Sequence, residues 1–590
     1  MVARILILTA DEFTWPKDNK KPVLFLGEWC KRYNRKSYWH RLNAEVVPYH
    51  WNDRQKLYKD YKRLQNLNEK LLIELSEKLN QIHSVNFSLR YWKILIGPWL
   101  GLFIEMLFDR WFMLKQTIEK KEISECTIIE RNPMSVVPND MKHFSNLHIE
   151  DDWNEAIYGQ LLNKYWNDLV TVKKIHKPSN NNENNSQFGI SINTDIKNNI
   201  ERFLIPLFNR LFPKDDGYFF IESYLSLKTN IKLQMSLGQF PKLWSRLAVP
   251  TIKPNIHQRK FWLSDQKSAS TTFEDVVRQF IPLHIPTAYL EGYKDLQKVT
   301  RQCNWPKNPK CIFTSNAYNS SDFFKIWAAE KTESNTKLII GQHGGHFGMT
   351  PFAFHEKHQI DISDKWLSWG WSDGSEPKII PVGNLKCYDK KVKYNPNGVA
   401  LMVEMTLPRY SDHLATFPIS GQWLDYLEDQ KDFLKSLPYE IRKKVLLRLF
   451  PSDLGWDQIS RWKDDMPEVM IDTGKKNIRK LIKNSRIYIS TYNATTYLES
   501  LSWNIPTIIF WNPNHWELKK EVEPYFELLK SVGVFHETPE SAAQKMIYVW
   551  NDISSWWHSK KLQTARQKFC KQFSRNNCTL AEDLKKIFKN

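Results

Sequence analysis

The stretch from 486 to 511 constrains the fold of this chain most, because it reads as a strand, a polar turn, a helix and a second strand. Apolar β-branched and aromatic residues at 487–489 and 507–510 predict the two strands. Strands that alternate with helices form parallel βαβ units, and several such units make a doubly wound sheet. The sequence therefore predicts an α/β fold with ligands at the carboxyl ends of the strands.

The polar turn between this strand and helix offers hydrogen-bonding groups where the helix begins. Its hydroxyl and amide side chains belong to Ser490, Thr491, Asn493, Thr495 and Thr496. Backbone N–H groups at a helix start attract anions such as phosphate. Glu499 follows on the same helix face, where it can accept hydrogen bonds from sugar hydroxyls. This combination predicts a donor site for a nucleotide-sugar; the alternative is that Thr495 and Thr496 only cap the helix and Glu499 is solvated.

A glycine-rich segment at 341–348 follows another predicted strand. Its backbone can approach a ligand closely, so Gln342, Gly344 and Gly345 are predicted to bind the donor. The glycine spacing matches neither a P-loop nor a dinucleotide-binding turn, which argues against an ATPase or an NAD-dependent enzyme. His343 is the predicted catalytic residue, because an imidazole can stabilise leaving-group charge or move a proton. The alternative is a histidine that only holds the turn.

Charged residues at other predicted strand ends complete the candidate site. Arg409 follows a strand at 400–403 and is predicted to pair with a phosphate or a sugar carboxylate, or else to form a surface salt bridge. Asp11 and Glu28 follow the first two strands. They are predicted to activate an acceptor hydroxyl or attack the sugar carbon, unless they are ordinary loop carboxylates. No Asp-x-Asp at a strand end and no His-x-x-x-His pair occurs, so we expect neither a metal nor a cofactor.

Length and charge predict two domains and an anionic ligand. A chain of 590 residues exceeds what one core usually supports. We expect an acceptor-side α/β domain with a helical insertion over 1–300, and a nucleotide-sugar-binding α/β domain with carboxyl-terminal helices over 301–590, facing each other across a cleft. A mobile asparagine-rich loop is predicted near 176–190. The net charge of +19 favours anionic partners, but its dispersal along the chain argues against nucleic acid.

Cysteine usage and hydropathy predict a cytoplasmic location. The seven cysteines form no Cys-x-x-Cys pair, which predicts a reduced chain without structural zinc. The apolar residues at 1–10 read as a first strand rather than a signal peptide. The most apolar stretch, at 92–114, is broken by Gly97 and Pro98 and interrupted by charges, whereas a membrane span needs ~20 mostly uncharged residues. It is predicted to lie in the core or at the inner face of the cytoplasmic membrane.

Several segments together resemble known transferases. The turn and helix after residue 490 resemble GT-B glycosyltransferases, whose usual pattern is Glu-Ala-Leu-x-x-Gly-x-Pro-x-Ile; here Ser500 replaces the alanine and Asn504 the glycine. The chain is also distantly similar to Kdo-type transferases, which use CMP-activated ulosonic acids. More closely, and over nearly its whole length, it looks like a family of transferases from bacterial O-antigen and surface-polysaccharide clusters, in the segments at 9–15, 25–30, 97–100 and 341–345.

The resemblance implies a glycosyltransferase that moves a sugar from a nucleotide-sugar to a lipid-linked or growing surface glycan. The donor is expected in the carboxyl-terminal domain and the acceptor over the amino-terminal one. Two alternatives remain open. A sugar-nucleotide epimerase would share the fold and the donor pocket but would need paired acid and base groups around one sugar carbon. A non-catalytic scaffold for glycan or membrane would bind no nucleotide.

Overall fold

A computed structural model describes residues 3–18, 20–177, 217–244, 247–264, 272–386 and 395–589. Apart from its first two residues, the predicted asparagine-rich loop at 176–190 lies outside these ranges. The strands of the described residues form three sheets, and every pairing between neighbouring strands is parallel. The predicted α/β class is confirmed.

The first sheet is doubly wound. Its strand order is β3-β2-β1-β4-β5, so the topological switch point, where the strand order reverses, lies between β1 and β4. The sequence predicted the first two strands but not the other three, in which polar residues break the apolar runs that signal a strand. The strands are β1 (Arg4–Ile7), β2 (Val23–Phe25), β3 (Ala44–Val46), β4 (Ile123–Ile129) and β5 (Thr171–Ile175).

The second sheet follows the chain in simple order, β10-β9-β8-β7-β6. It takes strands from both sides of residue 300, because β6 pairs with β7. The glycine-rich segment begins at the carboxyl end of β8, as predicted. The strands are β6 (Tyr218–Phe220), β7 (Cys311–Thr314), β8 (Lys337–Gly341), β9 (Lys365–Ser368) and β10 (Ile379–Pro381).

The third sheet is doubly wound and contains the βαβ unit read first from the sequence. Its order, β13-β12-β11-β14-β15-β16, places the switch point between β11 and β14. The strands expected after residue 300 are thus divided between two sheets, whereas the sequence predicted one domain for them. The strands are β11 (Ala400–Val403), β12 (Val445–Arg448), β13 (Met470–Asp472), β14 (Ile487–Ser490), β15 (Thr507–Phe510) and β16 (Phe535–His536).

Helices cover the sheets and join them. The α-helices are Lys36–Trp39, Arg54–His83, Leu89–Lys120, Met141–Leu147, Asp151–Tyr165, Leu227–Ser236, Ile256–Ser264, Phe273–His284, Tyr293–Gln302, Ala317–Ser320, Asp322–Glu333, Phe354–Ile362, Gln422–Lys435, Tyr439–Arg442, Gln458–Asp465, Ile478–Asn484, Thr495–Ser502, Glu523–Lys530, Pro539–Val549, Ile553–Trp557, Lys560–Phe573 and Leu580–Lys589.

The helix Leu89–Lys120, hereafter the central helix, is the apolar stretch noted in the sequence. It is long and apolar enough to cross a membrane, but 94% of its most apolar window is buried inside the structure. It therefore lies in the core. Gly97 and Gly101 let the helix Phe354–Ile362 pack closely, since a Cβ would lie 2.6 Å from His358 Cε1 at the first and 2.0 Å from Phe354 Cε2 at the second. This packing places a histidine-bearing helix next to the glycine-rich segment.

Candidate functional site

The switch point of the third sheet is flanked by the segment that follows β11, 404–421, and by the polar turn after β14, 491–494. In open α/β sheets, ligands bind in the crevice at such a point. The glycine-rich segment of the second sheet reaches the same place. A Cβ on Gly345 would lie only 2.3 Å from the carbonyl oxygen of Ala494, so only glycine allows this approach. Two predicted motifs from different sheets are brought together.

Side chains hold the two motifs in contact. The Tyr497 hydroxyl lies 3.2 Å from the sulfur of Met349, just after the glycine-rich segment, and donates to the side-chain Oδ1 of Asn493 at 3.0 Å. The helix Thr495–Ser502 starts at Ala494 without a side-chain cap. The alternative that Thr495 or Thr496 caps this helix is therefore wrong, and the helix start keeps backbone N–H groups that could bind an anion.

Other predicted donor residues shape the turn. Ser490 donates its hydroxyl hydrogen to the Tyr492 carbonyl oxygen at 3.2 Å, and Thr491 donates to that of Val403 at 2.9 Å. Thr496 accepts a hydrogen bond from Tyr488 at 2.6 Å. Most of these hydroxyls are therefore engaged within the protein, and their direct contact with a donor stays a prediction.

Asn493 and Glu499 are both buried beside the helix start. The Nδ2 of Asn493 is buried and has no hydrogen-bond partner among the described residues. Glu499 is 3% exposed, so the alternative of a solvated carboxylate is wrong. One of its carboxylate oxygens lies 3.2 Å from Nη2 of Arg479, whose side chain is 39% exposed. A carboxylate thus positions a cation close to the uncapped helix.

Four histidines gather at the glycine-rich segment, together with one carboxylate. His343 and His346 come from the segment, His355 from the helix Phe354–Ile362, and His413 from the segment after β11; all are partly exposed. The rings of His355 and His413 are 5.1 Å apart. We call these residues, with Asp412, the histidine pocket. Of these residues the sequence predicted only His343, although four of the sixteen histidines fall between 343 and 358.

Three of these histidines are neutral at physiological pH. Burial lowers the pKa of His343 to about 4 and that of His346 to about 3. It also holds the pKa of His355 well below its ordinary value, helped by the charge of His413. Nδ1 of His343 is buried without a partner among the described residues. Neutral imidazoles can donate or accept hydrogen bonds, but these three are weak bases.

Asp412 and His413 form the one basic pair of the pocket. Nδ1 of His413 lies 2.9 Å from Oδ1 of Asp412. Burial lowers the pKa of His413, but the Asp412 carboxylate outweighs it, and the net shift is upward. The pKa of Asp412 falls to about 2 despite burial, because His413 stabilises its anion. A carboxylate that holds one ring nitrogen leaves the other free for proton transfer.

Two predicted donor residues are committed to the protein instead. Arg409 is 1% exposed; it contacts Asp151 at 2.7 Å and donates to the Trp29 carbonyl oxygen. It is therefore a buried ion pair, rather than an open phosphate ligand or a surface salt bridge. The side-chain oxygen of Gln342 accepts hydrogen bonds from Trp369 N and Trp371 Nε1 at 2.8 and 3.1 Å. Gln342 thus fixes the strand end from which the histidines project.

The predicted amino-terminal carboxylates lie elsewhere. Asp11 pairs with Lys177 at 3.0 Å at the end of β1, and Glu28 pairs with Lys31 at 2.8 Å. Glu28 also faces Gly421: a Cβ added to Gly421 would lie 3.0 Å from the Cβ of Glu28. The ion pairs of both residues lie outside the histidine pocket, so their catalytic roles stay predictions. Among the described residues, no group of three His, Cys, Asp or Glu side chains is arranged to hold a metal ion.

The family model of the LIC12162 family transferases matches residues 4–588. The chain belongs to this family. This match does not extend to the resemblance to O-antigen-cluster and Kdo-type transferases, which stays a prediction from the sequence. No curated protein matches the transferase significantly.

Solved glycosyltransferase structures resemble the transferase distantly. Spinosyn rhamnosyltransferase SpnG has 10% identity and a TM-score of 0.32, over 63% of this chain and 99% of that one. WaaG, a glycosyltransferase of lipopolysaccharide biosynthesis, has 11% identity and a TM-score of 0.29, over 63% of this chain and 100% of that one. The wall teichoic acid polymerase TagF has 12% identity and a TM-score of 0.28, over 50% of this chain and 83% of that one.

Proposed function

We propose that this transferase moves a glycosyl group from a nucleotide-sugar to a hydroxyl of a lipid-linked or growing surface glycan, without a metal ion. The observation that carries the proposal is the contact between Gly345 and Ala494, which joins the glycine-rich segment to an uncapped helix start at a sheet switch point. The GT-B resemblance of the sequence at 490–511 supports the same reaction class. We place the reaction on the cytoplasmic side, at the inner membrane face.

The donor phosphates would bind at the start of the helix Thr495–Ser502. Backbone N–H groups there and in the glycine-rich segment favour negative charge. The half-exposed guanidinium of Arg479, held by Glu499, adds a cation at the same edge of the sheet. Charge on the leaving nucleotide can thus be stabilised by the protein alone.

The acceptor hydroxyl would be activated by the Asp412–His413 pair. Nε2 of His413 takes the hydroxyl proton while the oxygen attacks the anomeric carbon, and the bond from that carbon to the phosphate oxygen breaks. The electron pair of this bond leaves with the nucleotide. Neutral His343 and His346 can donate hydrogen bonds to the departing phosphate, since burial keeps their pKa values near 4 and 3.

Incubation with CMP-, UDP-, GDP- and dTDP-sugars, with and without bacterial surface glycans, tests the proposal by chromatography of the products. We expect one nucleotide to be released, and its sugar to appear on a glycan. An epimerised donor without glycan would instead establish the epimerase. Neither release nor epimerisation, with no nucleotide bound, would favour the scaffold.

A further inference from the structure

A groove of about 740 Å³ opens beside the histidine pocket and has no part in the chemistry above. One wall is formed by the first two turns of the helix Arg54–His83. A second wall is formed by Pro351 and Phe352, which follow the glycine-rich segment, and a third by the stretch 517–523. We call it the aromatic groove. Its volume lies within the range of about 300–1,000 Å³ that is usual for ligand sites.

A partly exposed aromatic ring, that of Tyr58, lines the groove. Tyr58 is 40% exposed, although its ring lies 5.7 Å from that of Phe352. Phe352 in turn stacks on Tyr61 at 4.5 Å, and the ammonium of Lys62 lies 4.3 Å from the centre of the Tyr58 ring. The ring is therefore held in place while part of it faces the groove. A fixed, exposed tyrosine offers apolar surface and a hydroxyl at little entropic cost, which suits the mixed apolar and polar faces of a sugar.

The rim carries fixed charges of both signs. Arg54 donates two hydrogen bonds to Glu517, at 2.7 and 2.8 Å, and Lys519 lies 3.5 Å from Glu356. Such paired groups offer donors and acceptors to hydroxyls. An anionic lipid surface would instead favour a cluster of cations without carboxylates. The charge pattern points to a hydroxyl-rich ligand.

The groove leads to the proposed base. Thr416 lines it and lies three residues after His413, a separation of at most ~11 Å along the chain. The ring of Phe417 is 5.0 Å from the ring of His413. Lys519, on the opposite wall, donates its backbone N–H to the Met349 carbonyl oxygen at 2.8 Å. A chain of sugars in the groove would therefore end close to the histidine pocket.

We propose that the aromatic groove binds the sugar residues of the glycan acceptor that neighbour the reacting one, with Tyr58 as the stacking platform. This inference rests on the proposed glycosyl transfer. The acceptor site would thus be built from both parts of the chain, the helix Arg54–His83 and residues after 350, rather than from the amino-terminal domain alone.

Binding to an array of bacterial surface glycans tests the groove without the reaction. Wild-type protein should bind some glycans, and Tyr58→Ala should weaken this binding about tenfold. Tyr548→Ala removes a tyrosine that is 83% exposed on the distant helix Pro539–Val549 and serves as the matched control. Melting temperatures of both variants check that the fold is retained.

The outcomes separate the two proposals. Nucleotide release in the donor assay, together with glycan binding that Tyr58→Ala leaves unchanged, would overturn the groove and leave glycosyl transfer standing. Absence of any bound glycan would also overturn the groove. Glycan binding that Tyr58→Ala weakens, without turnover of any nucleotide-sugar, would support the groove and count against the transfer reaction.

Discussion

The segment 409–413, which follows β11, has two parts whose polar side chains contact different regions of the protein. Arg409, Tyr410 and Ser411 are buried and bonded to amino-terminal elements; for example, the Ser411 carbonyl oxygen accepts from Arg110 at 2.7 Å. Asp412 and His413 follow directly, but their side chains are 23% and 20% exposed and pair with each other. The first three residues thus fix the segment, whereas the next two form the pair that we propose as the base.

The difference teaches that burial and pairing distinguish structural from chemical residues better than residue type does. An arginine beyond a strand is a natural phosphate ligand, yet Arg409 balances the buried charge of Asp151. A histidine in an irregular segment is easily overlooked, yet His413, paired with Asp412, is the base that we propose for the reaction.

Removal of His413 should separate the two parts most clearly. His413→Ala should lower glycosyl transfer by about 10²- to 10⁴-fold, because the general base is lost, while the melting temperature changes little. His257→Ala, which alters an exposed histidine on the helix Ile256–Ser264, is the matched control. Rates of sugar transfer measure the effect, and full activity in His413→Ala would assign the chemistry to another residue.

Removal of Arg409 should show the opposite pattern. Arg409→Met should cost on the order of 3 kcal/mol in stability, because it leaves a buried carboxylate with one fewer cation; Asp151 keeps Arg32 at 2.7 Å. Arg35→Ala breaks an exposed pair with Glu12 and should change stability little. Thermal melting compares the two, and equal melting temperatures would show that Arg409 does not fix the segment.

A side chain at Gly345 should disturb the junction of the two motifs. Gly345→Ala places a Cβ 2.3 Å from a backbone oxygen, so the segment must shift, at a cost of about 1–3 kcal/mol. Gly374→Ala meets no atom within 4 Å and is the control. We expect weaker nucleotide binding, measured by calorimetry, in the first variant alone. Unchanged binding in Gly345→Ala would place the donor elsewhere.

The smallest expected effect is a displaced pH profile. The Asp412 carboxylate raises the pKa of His413 above its ordinary value of 6.5, so the basic form, and the transfer rate, should increase as pH rises through that pKa. Asp412→Asn removes the stabilising charge, lowers the pKa and should move this rise about one unit toward lower pH. Initial rates between pH 5 and 9 measure the shift. An unmoved profile would mean that another group titrates.

Much of the third sheet could be predicted from the sequence, because its strands are short apolar runs followed by polar turns. β11, β14 and β15 lie where the pattern placed them. The pattern could not show which strands pair. β6 and β7, for example, lie on opposite sides of residue 300 and come together only in the folded chain. The replacement of glycine by Asn504 is explained by its φ of 59°, a left-handed conformation that asparagine tolerates.

The candidate site was likewise predicted only where its features are local in the sequence. The turn after β14 and the glycine-rich segment are local features, and the sequence identified both. His413 was missed because, although Asp412 is its neighbour in sequence, the histidine whose ring lies beside it, His355, comes from a distant segment. Arg409 was assigned to the donor because nothing in the sequence reveals Asp151 beside it, 258 positions earlier.

The most direct test is a thermal-shift measurement with CMP, UDP, GDP and dTDP on the wild type, Gly345→Ala and His413→Ala. A ligand that binds only the native state raises the melting temperature. We predict that one nucleotide stabilises the wild type and His413→Ala, and that Gly345→Ala loses the shift. Absence of a shift with all four nucleotides, or an equal shift in Gly345→Ala, would contradict a donor site at this junction.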